Sequence, residues 1–206
     1  VSSAITIPST LSVVVTKGGK LTKSGAGTLI INGPFEAGLY QVFNGFSAGD
    51  VTGLKEAYLE WFGADITGSS LSDTAIESAI ASSKNIVFGD GNYRISSAKT
   101  ISTPGSYIKG SGFSTKIYTT TGTTDNGINL FIVTANNVIV ENTYFYNSGY
   151  GDTVPPSGTI DTMGCGVVFA GAQDGTIRNS YFNNCGGSGQ GVASIYLTKS
   201  QRIKVE

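Results

Sequence analysis

The chain has 206 residues, of which 39% are hydrophobic and 13% are charged, and its formal net charge at pH 7 is −1. This much apolar surface argues against intrinsic disorder. Its 13 Lys and Arg residues are scattered, so we expect no nucleic-acid partner, which would require clustered cations. No apolar run approaches the roughly 20 residues that cross a bilayer, so we expect no membrane insertion.

Histidine is absent, and the two cysteines are Cys165 and Cys185. The lack of histidine excludes the Ser-His-Asp and Cys-His nucleophile systems and removes the commonest metal ligand. We therefore expect no metal and no cofactor. Both thiols are expected to act as small buried hydrophobic groups, and a bridge between them stays open if they lie on adjacent turns of the fold.

The first sixty residues are predicted to be β-structure. Residues 5–16 and 28–32 are rich in Val, Ile, Leu and Thr, and Gly-rich turns lie between them, a pattern typical of strand–turn–strand units. A further short strand is predicted at residues 39–43. We interpret residues 1–60 as a β-rich neck region that leads into the domain formed by residues 61–206.

One window, residues 72–83, has helical periodicity, with Ile76, Ala79 and Ile80 on one face. Thr74 and Glu77 have the spacing of a capping box. Eleven residues of helix would be about 16 Å long. We expect it to cover the exposed end of a β-structure.

From residue 85 onward the sequence predicts short strands separated by polar turns. The predicted strands are residues 86–88, 93–96, 107–109, 116–119, 130–134, 138–141, 167–169, 176–178 and 195–198.

Residues 138–147 nearly repeat as residues 175–184, an offset of 37 residues, and such a period indicates a solenoid. A third copy begins near residue 202, so we interpret the chain as the front part of a longer protein. The inward positions Ile108, Val140, Ile177 and Val205 are expected to form one column. Pairs in register are Asn142/Asn179, Tyr144/Tyr181, Phe145/Phe182 and Asn147/Asn184. The pair Asn142/Asn179 is expected at a turn of left-handed backbone.

Residues 59–80, LEWFGADITGSSLSDTAIESAI, and residues 87–96, VFGDGNYRIS, resemble the opening of the pectate-lyase-like superfamily, and bacteriophage tailspikes in particular. There a Trp-Phe-Gly-Ala element precedes a Gly/Asp loop, a capping helix and a first strand pair. Residues 28–43 resemble the segment upstream of it in tailspikes. Leu59 stands where Pro is usual, and the usual Asp-Asp-Thr is only Ser72-Asp-Thr74.

The resemblance implies an all-β fold, a right-handed single-stranded parallel β-helix of the pectin-lyase-like type with one N-terminal capping α-helix. It also implies a homotrimeric virion tail spike that binds and degrades capsular or O-antigen polysaccharide. Its partners would be that polysaccharide and other tail proteins, and it would be assembled in the host cytoplasm and act outside the cell.

Glycoside hydrolysis needs two carboxylates that face one sugar, and Asp152 and Asp161, which flank a long loop, are the candidates here. Asp in such loops commonly bonds to local backbone instead, and we expect the catalytic residues beyond this segment. Tyr146 and Tyr150 are predicted glycan contacts. Tyr144 shares a face with Tyr146 but is expected to stack inward on Tyr181.

Trp61 is predicted to be a core plug. Two other functions stay open. A non-catalytic fibre or adhesin would only bind glycan or space domains. A secreted bacterial polysaccharide lyase would carry a signal peptide and often a calcium site of clustered Asp.

Overall fold

The computed structural model describes residues 1–119, 128–147, 164–185 and 193–206. These residues form nineteen short β-strands, one α-helix and one 3₁₀ helix. All strand pairs within the described ranges are parallel. The predicted β-dominated fold with one α-helix is confirmed, and its parallel strands are compatible with a parallel β-helix. No helix among the described residues is long and apolar enough to cross a membrane.

The N-terminal strands do not pair with their neighbours in sequence. Instead each of the first four strands pairs with a strand 22 to 24 residues later, as when residue 5 pairs with residue 29 and residue 29 with residue 51. The neck region is thus already a stack of parallel strands. Its strands are β1 (Ile5–Ile7), β2 (Val13–Val15), β3 (Leu21–Thr22), β4 (Leu29–Ile31), β5 (Phe35–Ala37), β6 (Phe43–Asn44) and β7 (Val51–Thr52).

The remaining strands build three stacks. Stack 1 contains β8 (Ala57–Tyr58), β9 (Asn85–Val87), the first part of β12 (Tyr107–Thr119), the first part of β14 (Ile139–Asn147), β16 (Thr176–Arg178) and β19 (Lys204–Val205). Stack 2 contains β10 (Gly91–Ile95), the second parts of β12 and β14, and β17 (Tyr181–Asn183). Stack 3 contains β11 (Lys99–Ile101), β13 (Phe131–Val133), β15 (Val167–Ala170) and β18 (Ile195–Thr198). From β9 onward the chain visits stacks 1, 2 and 3 in that order and then returns to stack 1.

The predicted inward column is confirmed, because Ile108 pairs with Val140, Val140 with Ile177, and Ile177 with Val205. The first three are buried, and Val205, on the outermost strand, is exposed. Stacks 2 and 3 face the same core. Their buried side chains include Tyr93, Ile117, Phe145, Ile101, Val133 and Phe169.

The predicted Asn turns are also confirmed. Asn142 and Asn179 have φ angles of 53° and 49°, and they lie at the bend between stacks 1 and 2. Asparagine tolerates this left-handed conformation because its short polar side chain can bond locally. The chain therefore bends at the same position in successive turns.

The predicted helix spans Asp73–Ser82 as α1 and packs against the 3₁₀ helix Leu59–Phe62 and strands β7, β8 and β11. Ile76 and Ala79 are fully buried in this contact. The predicted capping box is wrong, because no side chain caps α1. Glu77 instead accepts a hydrogen bond from Lys99, 2.6 Å away. An unpaired buried cation would cost more free energy than a helix N–H that is left to water.

Lys99 is the first residue of β11, and its side chain is completely buried. Its ammonium lies 2.6 Å from carboxylate oxygens of both Asp73 and Glu77. Burial disfavours the charged form of Asp73, but the hydrogen bond and charge of Lys99 and the Ser96 donors outweigh it and lower its pKa. This ion cluster joins α1 to stack 3.

Trp61 is 4% exposed, so the predicted core plug is confirmed. Its indole N–H donates to the Gly38 carbonyl oxygen at 3.0 Å. The indole also contacts the rings of Phe35 and Tyr58, at centroid distances of 5.1 and 4.9 Å. These three rings line a cleft of about 470 Å³.

Both cysteine thiols are free; Cys165 is buried and Cys185 is partly buried. Burial raises the pKa of Cys165 to about 11 and that of Cys185 to about 12. The prediction of small buried thiols is confirmed for Cys165, whereas Cys185 is only partly buried.

Replacing Lys99 with Gln leaves Asp73 at the buried end of α1 without its cation. We expect the free energy of unfolding to fall by roughly 3 kcal/mol, the size of a broken buried ion pair. The exposed Lys84 is the matched control, and Lys84→Gln should change the free energy of unfolding by less than about 0.5 kcal/mol. Urea unfolding of the unmodified chain and the two variants measures both changes. Equal losses in the two variants would contradict a structural role for the ion cluster.

Asn142 tests the backbone turn. Asn142→Ala should lower the free energy of unfolding by about 1 kcal/mol, because a Cβ without a local polar partner disfavours left-handed backbone. Asn142→Gly should cost less, since glycine adopts this conformation freely. A glycine variant less stable than the alanine variant in thermal unfolding would show that the side chain, rather than the turn, is what matters.

Candidate functional site

The outward surface of stack 2 carries a concentration of aromatic side chains. Alternation along each strand buries Phe145 and Ile117 in the core and turns their neighbours outward. Parallel register then aligns the outward residues in two columns. The first is Asn92, Lys116, Tyr144 and Tyr181; the second is Arg94, Tyr118, Tyr146 and Asn183. Four strands at a spacing of about 4.8 Å make a face roughly 14 Å long.

Phe113 joins this surface from a bulge within β12. The register of β12 against β14 shifts on both sides of Gly112, whose φ of 76° requires a residue that tolerates left-handed backbone. The bulge projects Phe113, which is 63% exposed. We call Phe113 together with the outward side chains of stack 2 the outer aromatic face.

Phe113 is the ring that stacks on Tyr181, with centroids 3.6 Å apart and planes inclined by 29°. It also meets Tyr144 edge to face at 5.7 Å. The prediction that Tyr144 stacks inward on Tyr181 is therefore wrong. The two tyrosines are in register as predicted, but strand alternation turns both outward and leaves the core to Phe145 and Phe182, which stack at 5.1 Å.

Lys116 lies at the centre of the face, among three tyrosine rings. Its ammonium is 4.1 Å from the ring centroid of Tyr146, 5.1 Å from that of Tyr118 and 5.7 Å from that of Tyr144. The negative ring faces attract the cation. Among the described residues it has no carboxylate partner.

Two side-chain amides orient the tyrosine hydroxyls. The Asn183 amide donates to the hydroxyl oxygen of Tyr144 at 3.1 Å, and the Asn184 amide donates to that of Tyr146 at 3.4 Å. A hydroxyl that accepts in this way still has its own proton to donate. The face therefore presents hydrogen-bond donors beside open ring surfaces.

These features match the chemistry of carbohydrates. The C–H groups of a pyranose carry small positive charge and lie well against the negative face of an aromatic ring. Sugar oxygens accept hydrogen bonds from hydroxyl and ammonium donors. Phe113 and Tyr181 supply the exposed rings, at 63% and 45% exposure, and Lys116, Tyr144 and Tyr146 supply the donors.

Of the predicted site residues, Tyr146 lies in the outer aromatic face. Tyr150, Asp152 and Asp161 lie outside the described residues, so their roles stay predictions. Sequence reasoning missed Phe113, Lys116 and Tyr118. Alternation across residues 116–118, aligned with Tyr144 and Tyr146, is the signal that could have found the latter two.

Several described carboxylates are already held by cations or by backbone. The ion pairs are Asp50 with Lys23, Asp73 and Glu77 with Lys99, Glu141 with Arg178, and Asp174 with Arg202. Asp65 accepts the backbone N–H groups of Thr67 and Ser70. A carboxylate held in this way is poorly suited to donate or receive a proton. No group of three or more potential metal-ligating side chains occurs among the described residues.

Glu141, in the stack 1 part of β14, is buried; it accepts a hydrogen bond from Tyr107 and pairs with Arg178 at 2.5 Å. Burial opposes ionisation, but the Tyr107 hydrogen bond and the Arg178 hydrogen bond and charge together lower the pKa of Glu141. Because Arg178 stands in register over Glu141, the pair joins successive turns of stack 1.

Comparison of the chain with protein-family models, with curated proteins and with solved structures gave no significant match in any of the three.

The lowered pKa of Glu141 predicts a pH dependence. A carboxylate whose pKa is lower in the folded than in the unfolded chain stabilises the fold above its unfolded pKa. That contribution to stability is lost as the pH falls through the pKa of the group in the folded chain. We expect Glu141→Gln to lose less stability than the unmodified chain between neutral pH and about pH 3. Urea unfolding at both pH values tests this, with exposed Glu36→Gln as the control. Equal losses in all three proteins would contradict it.

Proposed function

We propose that this chain binds a polysaccharide of a bacterial surface through its outer aromatic face. The observation that carries the proposal is the exposed stack of Phe113 on Tyr181, beside a lysine ringed by three tyrosines. Large exposed aromatic groups on a soluble surface are costly unless they serve an interaction. Here hydrogen-bond donors and exposed ring faces lie on the same surface, which suits the hydroxyl groups and C–H faces of sugars.

We further propose that the chain is the N-terminal part of a tailspike-type protein. Its fold would be the right-handed, single-stranded, pectin-lyase-like parallel β-helix. The three parallel stacks visited in a fixed order support the β-helix. The position of α1 beside the first strands of stack 1 supports the capping role of the resemblance. Homotrimer formation, attachment to other tail proteins and a place on the virion belong to this proposal.

Binding, rather than cleavage, is the activity we assign to the described residues. Glycoside hydrolysis needs one carboxyl group to act as an acid and another to act as a base or nucleophile. The pKa values of four ion-paired carboxylates, Asp50, Asp73, Glu141 and Asp174, are lowered, so these groups stay charged. The candidates for degradation of the polysaccharide stay Asp152 and Asp161, which lie outside the described residues.

The test is binding to a printed panel of purified capsular and O-antigen polysaccharides. We expect the chain to retain at least one of them. Tyr181→Ala and Tyr146→Ala should each weaken that binding about tenfold, the equivalent of roughly 1.4 kcal/mol. Tyr196→Ala is the matched control, because Tyr196 lies in stack 3, away from the face, and should leave binding unchanged.

Two outcomes would count against the proposal. Retention of no polysaccharide would favour the non-catalytic spacer. Binding that is insensitive to the first two variants but lost in Tyr196→Ala would place the glycan on another surface.

A further inference from the structure

The charge of the outer aromatic face is one-sided. Its strands contribute two cationic side chains, Arg94 and Lys116, at diagonal positions on adjacent strands. None of the eight residues in its two columns is an aspartate or a glutamate. The chain as a whole has a net charge of −1, so this surface differs in sign from the rest of the protein. A cationic surface favours an anionic ligand.

Neither cation is neutralised by the described part of the protein. Lys116 contacts only ring faces there, and none of the ion pairs involves Arg94. The Nε atom of Arg94 is enclosed by protein and has no hydrogen-bond partner among the described residues. Because Nε is enclosed, a ligand oxygen could meet only the two terminal nitrogens of the guanidinium group, which lie in no described ion pair.

The hydroxyl groups on the face point to the same kind of ligand. Tyr144 and Tyr146 accept hydrogen bonds from side-chain amides, so their protons are free for an outside acceptor. Tyr118 differs, because its hydroxyl donates to the Gly68 carbonyl oxygen at 3.1 Å. The face thus presents the Lys116 ammonium, the Arg94 guanidinium on the edge strand β10 and two hydroxyl protons, all donors.

We propose that the bound polysaccharide is acidic and that a sugar carboxylate lies between Lys116 and Arg94. A carboxylate offers two acceptor oxygens in a plane, which suits the planar donors of arginine, and its charge complements both cations. The sugar ring that bears it would lie along Tyr144 and Tyr146 toward the stacked Phe113 and Tyr181. This inference rests on the proposed function, since it names the class of sugar that the same face takes.

The experiment uses acidic and neutral capsular polysaccharides, with each acidic one also tested after chemical reduction of its carboxyl groups. We expect retention of acidic members, and about tenfold weaker binding after carboxyl reduction. Lys116→Gln and Arg94→Gln should each weaken binding of the acidic form about tenfold, which is the effect of losing one charge-assisted hydrogen bond. Binding should also weaken with added salt. Lys84→Gln, which removes a charge elsewhere, should have no effect.

The outcomes separate this inference from the proposed function. Binding that depends on Tyr181 but survives carboxyl reduction and Lys116→Gln would overturn the acidic ligand and leave glycan binding in place. Equal retention of neutral and acidic polysaccharides would likewise overturn the acidic ligand and leave glycan binding in place. Failure to retain any member would overturn both. Unchanged thermal unfolding of the Lys116 and Arg94 variants ensures that a loss of binding reports on the site.

Discussion

The parallel hydrogen-bonding register between successive turns of chain is the constraint on which the rest of the structure depends. It fixes Tyr144 opposite Tyr181, and Val140 opposite Ile177. Once this register is set, the same side chains recur at the same level in each turn. Apolar groups then form the core, asparagines form the bends, and every second side chain points outward. The site is a consequence of the register as much as the core is.

The features that recur with the register could be predicted from the sequence. The inward column and the left-handed Asn turns depend on residue types that recur from one turn of chain to the next. The burial of Trp61 depends on its place just before the capping helix. The repeat of the neck region was missed because its turns share parallel pairing without sharing side chains. Strand β11 was missed because it begins with Lys99, whose burial depends on Asp73 and Glu77 of a distant segment.

In the site too, the features that follow from local sequence pattern could be predicted, and those that depend on distant contacts could not. That Tyr144 and Tyr146 share a face follows from strand alternation. Which face it is depends on whether Tyr144 or Phe145 enters the core, and the phenylalanine enters because it buries no hydroxyl. Phe113 reaches the face through a bulge around Gly112. A bulge adds residues to one strand alone, so an internal repeat cannot reveal it. The cation among the rings depends on the alignment of two strands, β12 with Lys116 and Tyr118, and β14 with Tyr144 and Tyr146.

The most direct test of this account is nuclear magnetic resonance of the chain with ring-labelled tyrosine, titrated with an oligosaccharide cut from a polysaccharide that it retains. The account predicts that the ring signals of Tyr144, Tyr146 and Tyr181 shift, while those of buried Tyr93 and of Tyr196 in stack 3 stay in place. Shifts confined to tyrosines outside the outer aromatic face would contradict it.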